Sequence, residues 1–409
     1  MNHAVLIAHR FPYPPDKGDR IRTWNLLTAL SRHYVVHVGA FVHEPVSAGH
    51  VEAVKAACRG RCHFEPVNGL VGRARALLGL ATGEPLSVRF LASSAMRRWV
   101  DDIVAAGKPE LAVASASTVA PYAARVGAAR SVLDLVDVDS DKWRQYAATR
   151  RGAAAWLYAR EADKLLAFER ALIARFDATL LTTPHEVATM RALVPGHGAR
   201  IHHFGNGVDH AYFSPDRRYP DPYPAGTRAI VLTGSLDYWP NVDAAVWFAR
   251  EALPLVRAHA PDAMFYAVGH NPAADVVSLG ARDGVHVVGG VPDVRPYLAH
   301  AAAVVAPLRV ARGVQNKVLE AMAMGRPVVT TSKVMQGILA TPATELLVAD
   351  EPQDFAEAVL GALDNRIPAM GLAARARILA DYSWATQYDR LDAIIGGIAP
   401  DAQLRSRPA

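Results

Sequence analysis

The chain alternates short apolar segments with segments of helical spacing, and it does so in two successive series. In the first series, residues 4–8 and 34–41 predict strands, and residues 20–31 predict a helix with Asp19 as its N-cap. Further strands are predicted at residues 111–115, 131–135 and 178–182, and a long helical stretch at 142–176. A strand, a glycine-containing turn and a helix at the start of a series are typical of a Rossmann-like domain. The full G-x-G-x-x-G pattern is missing, so no dinucleotide cofactor is implied.

The second series follows a proline-rich segment, residues 213–226, which is predicted to be a linker. Strands are predicted at residues 229–233, 264–268, 285–288, 303–306, 327–331 and 346–349, and helices at 242–259, 294–300, 352–363 and 370–381. The predicted fold class is therefore α/β, with two doubly wound parallel-sheet domains. Ligands of such sheets bind beyond the carboxyl ends of the strands, so we expect the two domains to face each other across a cleft.

Composition narrows the class of protein. The chain has 409 residues, too many for one typical core, and 51% of them are hydrophobic. No apolar run approaches the ~20 residues that span a bilayer, and the first residues lack the basic start of a signal peptide, so we expect a cytoplasmic location. A net charge of +5 permits an anionic partner. No zinc-finger, homeodomain or RNP-type pattern is present, so no nucleic-acid partner is expected.

Residues 309–331 give the strongest indication of a ligand site. They predict a loop, a helix that ends at Gly325 and a buried strand. Four residues share one helix face through their i, i+3, i+4 and i+7 spacing: Gly313, Asn316, Lys317 and Glu320. A helix N-terminus beside a lysine attracts a phosphate. A carboxylate one turn later can accept hydrogen bonds from a polyol such as ribose.

A solvated surface pair is the alternative interpretation of Lys317 and Glu320 on one helix face. The apolar residues 321–324 and the strand after them favour a helix that lies against a sheet. Helix-start anion sites are common, so spacing alone leaves both interpretations open.

Two motifs, at residues 206–215 and 319–329, resemble those of a known family. The first has the Asn-Gly-Val-Asp…Phe…Pro pattern found at the domain junction of retaining glycosyltransferases of family 4, which have the GT-B fold. The second resembles the nucleotide-sugar signature of the same family. The resemblance covers nearly the whole chain. Finer features, in residues 11–19, 134–140 and 234–243, resemble the exosortase/PEP-CTERM-associated exopolysaccharide sugar transferases.

The resemblance implies an enzyme that moves a sugar from a nucleotide-diphosphate sugar to a glycan or polyprenyl-diphosphate-linked acceptor, with retention and without a metal or further cofactor. Glu320 matches the family's ligand of the donor ribose hydroxyls. Lys317, the amides after Gly313, and the loop at Gly234 and Ser235 would neutralise the leaving diphosphate. Asn316, on the same helix face, is assigned to the donor site with them.

The resemblance also implies that the two domains have different roles. Residues 1–208 would form the acceptor-side domain, and residues 209–382 the nucleotide-sugar-binding domain. Residues 383–409 would form a final helix that packs back on the first domain, followed by a disordered tail from residue 399.

The turn after the first strand supplies further candidates, because in the family it faces the donor diphosphate and sugar. Gly18 would allow close approach. Lys17 and Arg20 would meet the phosphates, with ordinary surface charge as the alternative. Arg22 is a further, more remote candidate.

Two positions depart from the family pattern. The first glutamate of its E-x7-E motif falls on Arg312, where a cation could meet the donor phosphates or a sugar carboxylate. Asp137 lies where many members place a histidine near the transferred sugar. Asp137 and Asp139 also have metal-binding spacing, with a strand-end turn or helix cap as the alternative.

Other polar residues are predicted to be structural. Cys58 and Cys62 have i, i+4 spacing on a predicted helix, and a zinc site would need more ligands, so two ordinary buried thiols are expected. His202 and His203 are adjacent on a strand and point to opposite sides. No metal site is therefore expected.

Residues 142–160 contain five basic residues, no acidic ones and four aromatic ones. Basic and aromatic residues on a helix suit contact with an anionic membrane surface, which would place the protein at the inner face of the plasma membrane. A solvated helix with its aromatic side chains packed inward is the alternative.

Other functions stay open at this stage. A sugar-nucleotide epimerase or a phosphorylase can have the same two-domain plan. A non-catalytic nucleotide-sugar-binding partner of a polysaccharide assembly complex is a third alternative. The nucleotide base and the sugar depend on pocket shape, which the sequence does not give.

Overall fold

The computed structural model describes residues 2–398, and the predicted tail at residues 399–409 lies outside them. The chain forms two compact units. One contains the residues up to Phe204 together with those from Tyr388 onward, and the other contains Gly205–Gln387. The predicted boundaries, after residues 208 and 382, lie within a few residues of these divisions. No helix within residues 2–398 has both the length and the apolar character needed to cross a membrane.

The first unit is built on a parallel sheet. Its strand order within the described residues is β3-β2-β1-β4-β5-β6-β7, and every neighbouring pair is parallel. The strands are β1 (Asn2–Ala8), β2 (Tyr34–Val42), β3 (Arg59–Pro66), β4 (Leu111–Ser115), β5 (Arg130–Val136), β6 (Ala178–Leu181) and β7 (Ile201–His203).

Helices cover both faces of this sheet. Val5 and Ile7 of β1 enter one hydrophobic cluster, whereas Ala4 and Leu6 enter another. Because successive strand side chains point to opposite faces, the two clusters are the two covered faces. The helices are α1 (Gly18–Ser31), α2 (Ala48–Cys58), α3 (Gly69–Thr82), α4 (Leu86–Phe90), α5 (Ser94–Ala106), α6 (Ala120–Val126), α7 (Asp139–Ala148), α8 (Gly152–Arg175) and α9 (Pro184–Leu193).

The second unit repeats this plan. Its parallel sheet has the order β10-β9-β8-β11-β12-β13 within the described residues. The strands are β8 (Arg228–Thr233), β9 (Ala263–Val268), β10 (Val285–Gly289), β11 (Ala303–Ala306), β12 (Val328–Thr330) and β13 (Leu347–Val348). The helices are α10 (Trp239–Trp247), α11 (Leu253–His259), α12 (Ala274–Ser278), α13 (Arg295–Ala299), α14 (Asn316–Ala323), α15 (Ser332–Met335), α16 (Pro352–Leu363) and α17 (Met370–Asp381).

The final helix, α18 (Trp384–Gly397), passes from the second unit to the first. From Tyr388 onward it belongs to the first unit, where Leu391 and Ile395 enter the same cluster as Leu26 of α1. The hydroxyl of Tyr388 donates to Oδ1 of Asn25 at 2.6 Å. Apolar side chains at helical spacing therefore give this helix a buried face in the first unit.

Strand order fixes where each unit can bind a ligand. The direction of sheet growth reverses between β1 and β4 in the first unit, and between β8 and β11 in the second. At such a switch point, the loops that leave the two strands separate and open a crevice. The prediction of two Rossmann-like doubly wound domains is thus confirmed, and the loop after β8 lies beside the loop after β11.

Three local predictions were wrong. Helix α1 begins at Gly18 with Lys17 as its N-cap, so Asp19 lies in the first turn instead of capping it. The helical stretch at 142–176 is divided into α7 and α8. The proline-rich segment is no free linker, because it belongs to the second unit, where Tyr223 is buried and donates to the carbonyl of Tyr297 at 2.7 Å.

The two cysteines do not share a helix. Cys58 ends α2, because Arg59 has a left-handed backbone conformation (φ 58°), and Cys62 lies on β3. The two sulfur atoms are 3.2 Å apart, and both thiols are free. The thiols are therefore neighbours across a helix-to-strand turn.

Arg22, the remote donor-site candidate, lies inside the first unit as a structural residue. It is fully buried, and its Nε and Nη2 donate to the two oxygens of Asp134 at 2.7 Å each. Its Nη1 donates to the carbonyl of Phe204 at 2.8 Å. This pair joins α1 to the carboxyl-terminal half of β5 inside the core.

Arg22→Ala is expected to lower the free energy of unfolding of the first unit by about 3–5 kcal/mol, because Asp134 would keep a buried charge without its partner. Arg32→Ala is the control, since Arg32 and Asp392 form an exposed pair at 3.4 Å that is worth at most about 1 kcal/mol. Urea denaturation followed by circular dichroism measures both. Equal losses for the two variants would contradict the structural role.

Candidate functional site

The carboxyl ends of β8 and β11 carry the loops that form the candidate site of the second unit. Gly234 directly follows β8 and has φ +135°, a conformation that side-chain-bearing residues rarely adopt. Gly313, in the loop before α14, has φ +59°. Glycine at both positions lets the chain turn sharply at the end of the sheet.

Both loops lie against further glycines with no room for a side chain. A Cβ atom on Gly269 would lie 1.6 Å from the carbonyl oxygen of Gly234, and one on Gly337 would lie 2.0 Å from that of Gly313. A Cβ atom on Gly234 itself would lie 2.9 Å from Nζ of Lys317. The backbone of the loop after β8 therefore packs directly against the lysine and the neighbouring strand end.

A short hydrogen-bond chain joins the two loops. Nζ of Lys317 donates to Oδ1 of Asn241. Nδ2 of Asn241 in turn donates to the carbonyl of Ser235 at 2.8 Å. The structure thus brings together the predicted residues Gly234, Ser235 and Lys317.

The sequence-based site lacks Asn241, which lies in the first turn of α10. The asparagine lies inside the motif at residues 234–243, but nothing in its spacing from Ser235 indicates that its amide bonds to that loop. Ser235 Oγ donates to Asp237 at 2.6 Å, which holds the same loop from its other side.

The N-terminus of α14 has no side-chain cap. Its N-cap residue, Gln315, makes no capping hydrogen bond, and Nε2 of Gln315 instead donates to the carbonyl of Arg312 at 2.9 Å. Asn316 opens the helix and accepts from Nδ2 of Asn206 at 3.4 Å. The first amides of an uncapped helix carry a partial positive charge, which suits an anionic ligand.

Lys317 and Glu320 are held in a poorly solvated environment. Burial lowers the pKa of the Lys317 ammonium to about 8, and the charge of Glu320 offsets part of that effect. Burial raises the pKa of the Glu320 carboxyl to about 7, and Lys317 offsets part of that change. Both side chains remain partly accessible to solvent. A cation and a hydrogen-bond acceptor therefore sit one turn apart on a face that an anion and a polyol could occupy.

The predicted residues of the first unit form a separate group. Gly18 begins α1, and a Cβ atom there would have nothing within 4 Å. Lys17 pairs with Glu44 at 3.8 Å, and Arg20 pairs with Asp16 and Glu44 at 3.2 Å each. Part of the positive charge in this turn is therefore balanced within the unit.

Asp137 follows β5, where Val136 has an unusual positive φ of 69°. Its Oδ1 accepts from the hydroxyl of Thr182 at 2.9 Å. Within residues 2–398, no three histidine, cysteine, aspartate or glutamate side chains converge to hold a metal ion. The contact fixes the Asp137 carboxylate at the end of β5 beside β6.

Two buried glutamates support the turn after β5, and neither was predicted from the sequence. Glu169 of α8 accepts from Oγ of Ser140 at 2.5 Å, and burial raises the pKa of its carboxyl to about 8. Glu186 of α9 accepts from the amide of Val138 at 2.7 Å. Both glutamates act through contacts with residues far away in the chain, and helical periodicity does not reveal such contacts.

The adjacent histidines of β7 have different surroundings. His203 lies 3.1 Å from the carbonyl of Thr182 and 3.2 Å from the guanidinium of Arg390. Burial lowers the pKa of His203 to about 4, so this ring is neutral at physiological pH. Burial also lowers the pKa of His202.

Part of the second unit matches a known protein family. Residues 227–365 match the family model of glycosyl transferases group 1. This segment contains Gly234, Ser235, Asn241 and all of α14, so it includes most of the site described above. No protein with a curated function matches the chain significantly.

Solved structures resemble the whole chain. Anabaena HepE in complex with UDP and glucose has a TM-score of 0.63 at 13% identity, covering 96% of this chain and 99% of the other. WaaG, a glycosyltransferase involved in lipopolysaccharide biosynthesis, has a TM-score of 0.64 at 17% identity, with 96% and 100% covered. Sucrose-phosphate synthase from Thermosynechococcus elongatus has a TM-score of 0.60 at 19% identity, with 96% and 98% covered. At such identities the likeness establishes the fold, which is that of the GT-B glycosyltransferases.

Glu320→Gln is expected to change the pH dependence of stability. Between about pH 4.5 and 7 the folded protein keeps the Glu320 proton that the unfolded chain has lost, so the stability due to this group falls as pH rises. The variant has no carboxyl proton to retain, so its free energy of unfolding should rise relative to that of the wild type by at most about 3 kcal/mol between about pH 4.5 and 7. Partial solvent access of the side chain reduces the effect.

Urea titrations at several pH values measure this difference. Glu357→Gln on α16 is the control, because that side chain is exposed. Parallel pH profiles for wild type and Glu320→Gln would contradict the burial of the carboxyl.

Proposed function

We propose that the protein is a retaining glycosyltransferase that moves a sugar from a nucleotide-diphosphate sugar to a glycan or lipid-linked glycan. The observation that carries the proposal is the position of Lys317, at the uncapped start of α14 and in contact with the loop after β8. This arrangement lies in the segment that matches glycosyl transferases group 1.

The site supports a donor with separate anionic and polyol parts. The ammonium of Lys317, the amides at the start of α14 and the loop of Gly234 and Ser235 would bind the diphosphate. Glu320, one turn along the same face, would accept hydrogen bonds from the ribose hydroxyls. HepE has been solved with UDP and with UDP-glucose, so uridine donors are the first to test.

In the proposed reaction, the bond from the anomeric carbon to the donor phosphate oxygen breaks while the bond to the acceptor oxygen forms on the same face of the sugar. The acceptor proton passes to the departing phosphate oxygen, so no protein base is required. Positive groups placed in advance around the diphosphate stabilise the charge that develops on it. We propose that helix dipole and lysine perform this role without a metal ion.

We also propose that the protein belongs to family 4 and to its exosortase-associated subgroup. Arg312 stands where that family has its first glutamate, so we propose that it contacts a donor phosphate or a sugar carboxylate. We propose that Lys17, Gly18 and Arg20 serve the donor diphosphate and sugar, and that Asp137 serves the transferred sugar. An exopolysaccharide glycan, carried on a polyprenyl diphosphate at the cytoplasmic face of an anionic membrane, would be the acceptor.

A thermal-shift panel of UDP-, GDP-, ADP- and TDP-sugars tests donor binding. A donor present at about 100 times its dissociation constant should add about 2.7 kcal/mol of stability. Glu320→Ala should weaken the affinity by about tenfold or more, because hydrogen bonds from the ribose hydroxyls to the carboxyl group are lost. Glu357→Ala is the matched control. Equal affinity for Glu320→Ala and wild type would remove the ribose role.

Lys317→Met is expected to slow the chemical step by about 10²–10³-fold, the usual effect of losing one group that stabilises developing charge. Release of the nucleotide by donor hydrolysis measures this step without a known acceptor. Lys333→Met, on the exposed surface of α15, is the control. An unchanged rate for Lys317→Met would contradict diphosphate stabilisation by this lysine.

The alternative functions give different results in the same assays. Conversion of the donor to an isomeric sugar nucleotide would identify an epimerase, and sugar release by inorganic phosphate would identify a phosphorylase. Donor binding without hydrolysis or transfer to any glycan would indicate a non-catalytic binding partner.

A further inference from the structure

Helix α3 has the reverse of the usual amphipathic arrangement. Its buried residues are Gly72 and Gly79. A Cβ atom on Gly72 would lie 2.6 Å from the ring of Phe90, and one on Gly79 would lie 3.1 Å from the carbonyl oxygen of Glu84. The helix therefore packs on the first unit through its smallest residues and leaves its large ones outside.

The outer face of α3 is apolar. Leu70, Leu77 and Leu78 are 78%, 64% and 58% exposed, and their i, i+7 and i+8 spacing puts them on one side of the helix. Clustered exposure of this kind marks an interaction surface, whereas single exposed leucines do not. Asn68 caps the helix by accepting from the amides of Leu70 and Val71, so α3 keeps its shape without burying these leucines.

The surroundings of this face are basic and aromatic. Exposed Arg73 flanks the leucines at helical spacing, and residues 66–83 contain no acidic residue. Nη1 of Arg75 donates to the carbonyl of Ala92. Nη2 of Arg160 on α8 donates to the carbonyl of Gly79 at 2.6 Å. Trp156, one turn before Arg160 on the same face of α8, is 63% exposed. An exposed tryptophan therefore lies one helical turn from the arginine that contacts α3.

The segment that the sequence indicated for membrane contact is arranged differently. Trp143 packs its ring against Tyr146 and Tyr158, with centroids 6.1 and 5.2 Å apart. The aromatic side chains of α7 and α8 therefore pack together, with Trp156 as the exposed exception. The apolar surface is supplied by α3.

We infer that the outer face of α3, together with Trp156, docks on an anionic lipid bilayer. Leucines would enter the acyl boundary, tryptophan would lie at the headgroup level, and exposed Arg73 would meet lipid phosphates. An anionic bilayer fits this face better than a second copy of the chain does, because positive charge beside an apolar face complements anionic lipid. The inference does not depend on transfer activity.

Vesicle flotation tests the docking surface, with phosphatidylcholine alone compared with phosphatidylcholine containing phosphatidylglycerol. The wild type should bind the anionic vesicles preferentially. The triple variant Leu70→Ser/Leu77→Ser/Leu78→Ser should lose about a hundredfold or more in partitioning, since three leucines no longer enter the bilayer. Arg73→Gln should lose about fivefold on anionic vesicles only.

The control is Leu372→Ser/Leu379→Ser, which removes leucines that are 77% and 45% exposed on α17 of the second unit. It should bind vesicles as the wild type does. Thermal melting and the donor-induced shift should be unchanged in the triple variant, which separates loss of docking from loss of folding or of donor binding.

Three results would overturn the inference. One is the absence of wild-type binding to anionic vesicles, or equal binding to both kinds. Another is unchanged binding by the triple variant. The third is a wild-type dimer in sedimentation velocity that the triple variant dissociates, which would make α3 a contact between copies of the chain.

Discussion

The ammonium group of Lys317 lies against the backbone of Gly234 and donates to Asn241, which bonds to the next residue of the same loop. This contact joins the carboxyl end of β8 to the start of α14. It requires the absence of a side chain at Gly234, and Gly269 must also be bare because its Cβ would overlap the Gly234 carbonyl. The positions of the loop, the helix start and Glu320 follow from one close approach between backbone and lysine.

Sequence reasoning reached the architecture because strand and helix periodicity are local properties. Strands such as β4 and helices such as α16 and α17 begin and end where the pattern predicts. Residues whose roles depend on distant partners were missed. Asn241, Glu169 and Glu186 act through hydrogen bonds to residues on other elements, and no spacing rule describes these. Arg22 was a remote donor-site candidate, because nothing in the sequence indicates its partner Asp134, 112 positions away.

Part of the proposed donor site could be identified in the sequence because α14 carries three of its residues within one and a half turns. Lys317 and Glu320 share a face by geometry alone, and the structure adds that this face is poorly solvated. Helix α3 shows the opposite case. Its leucines resemble core residues in the sequence, and only the glycines packed against Phe90 and Glu84 reveal which side is covered. The contacts of the two glycines therefore show which side of α3 is left uncovered, and composition alone does not show this.

The shifted pKa values of Lys317 and Glu320 have a further consequence for any anion that enters this pocket. With values of about 8 and about 7, the Lys317 ammonium keeps most of its proton at pH 7 and the Glu320 carboxyl is near its midpoint. A phosphate beside them favours the protonated form of each. Ligand capture would then be accompanied by proton uptake from the medium, and the heat of association would vary with the ionisation enthalpy of the buffer.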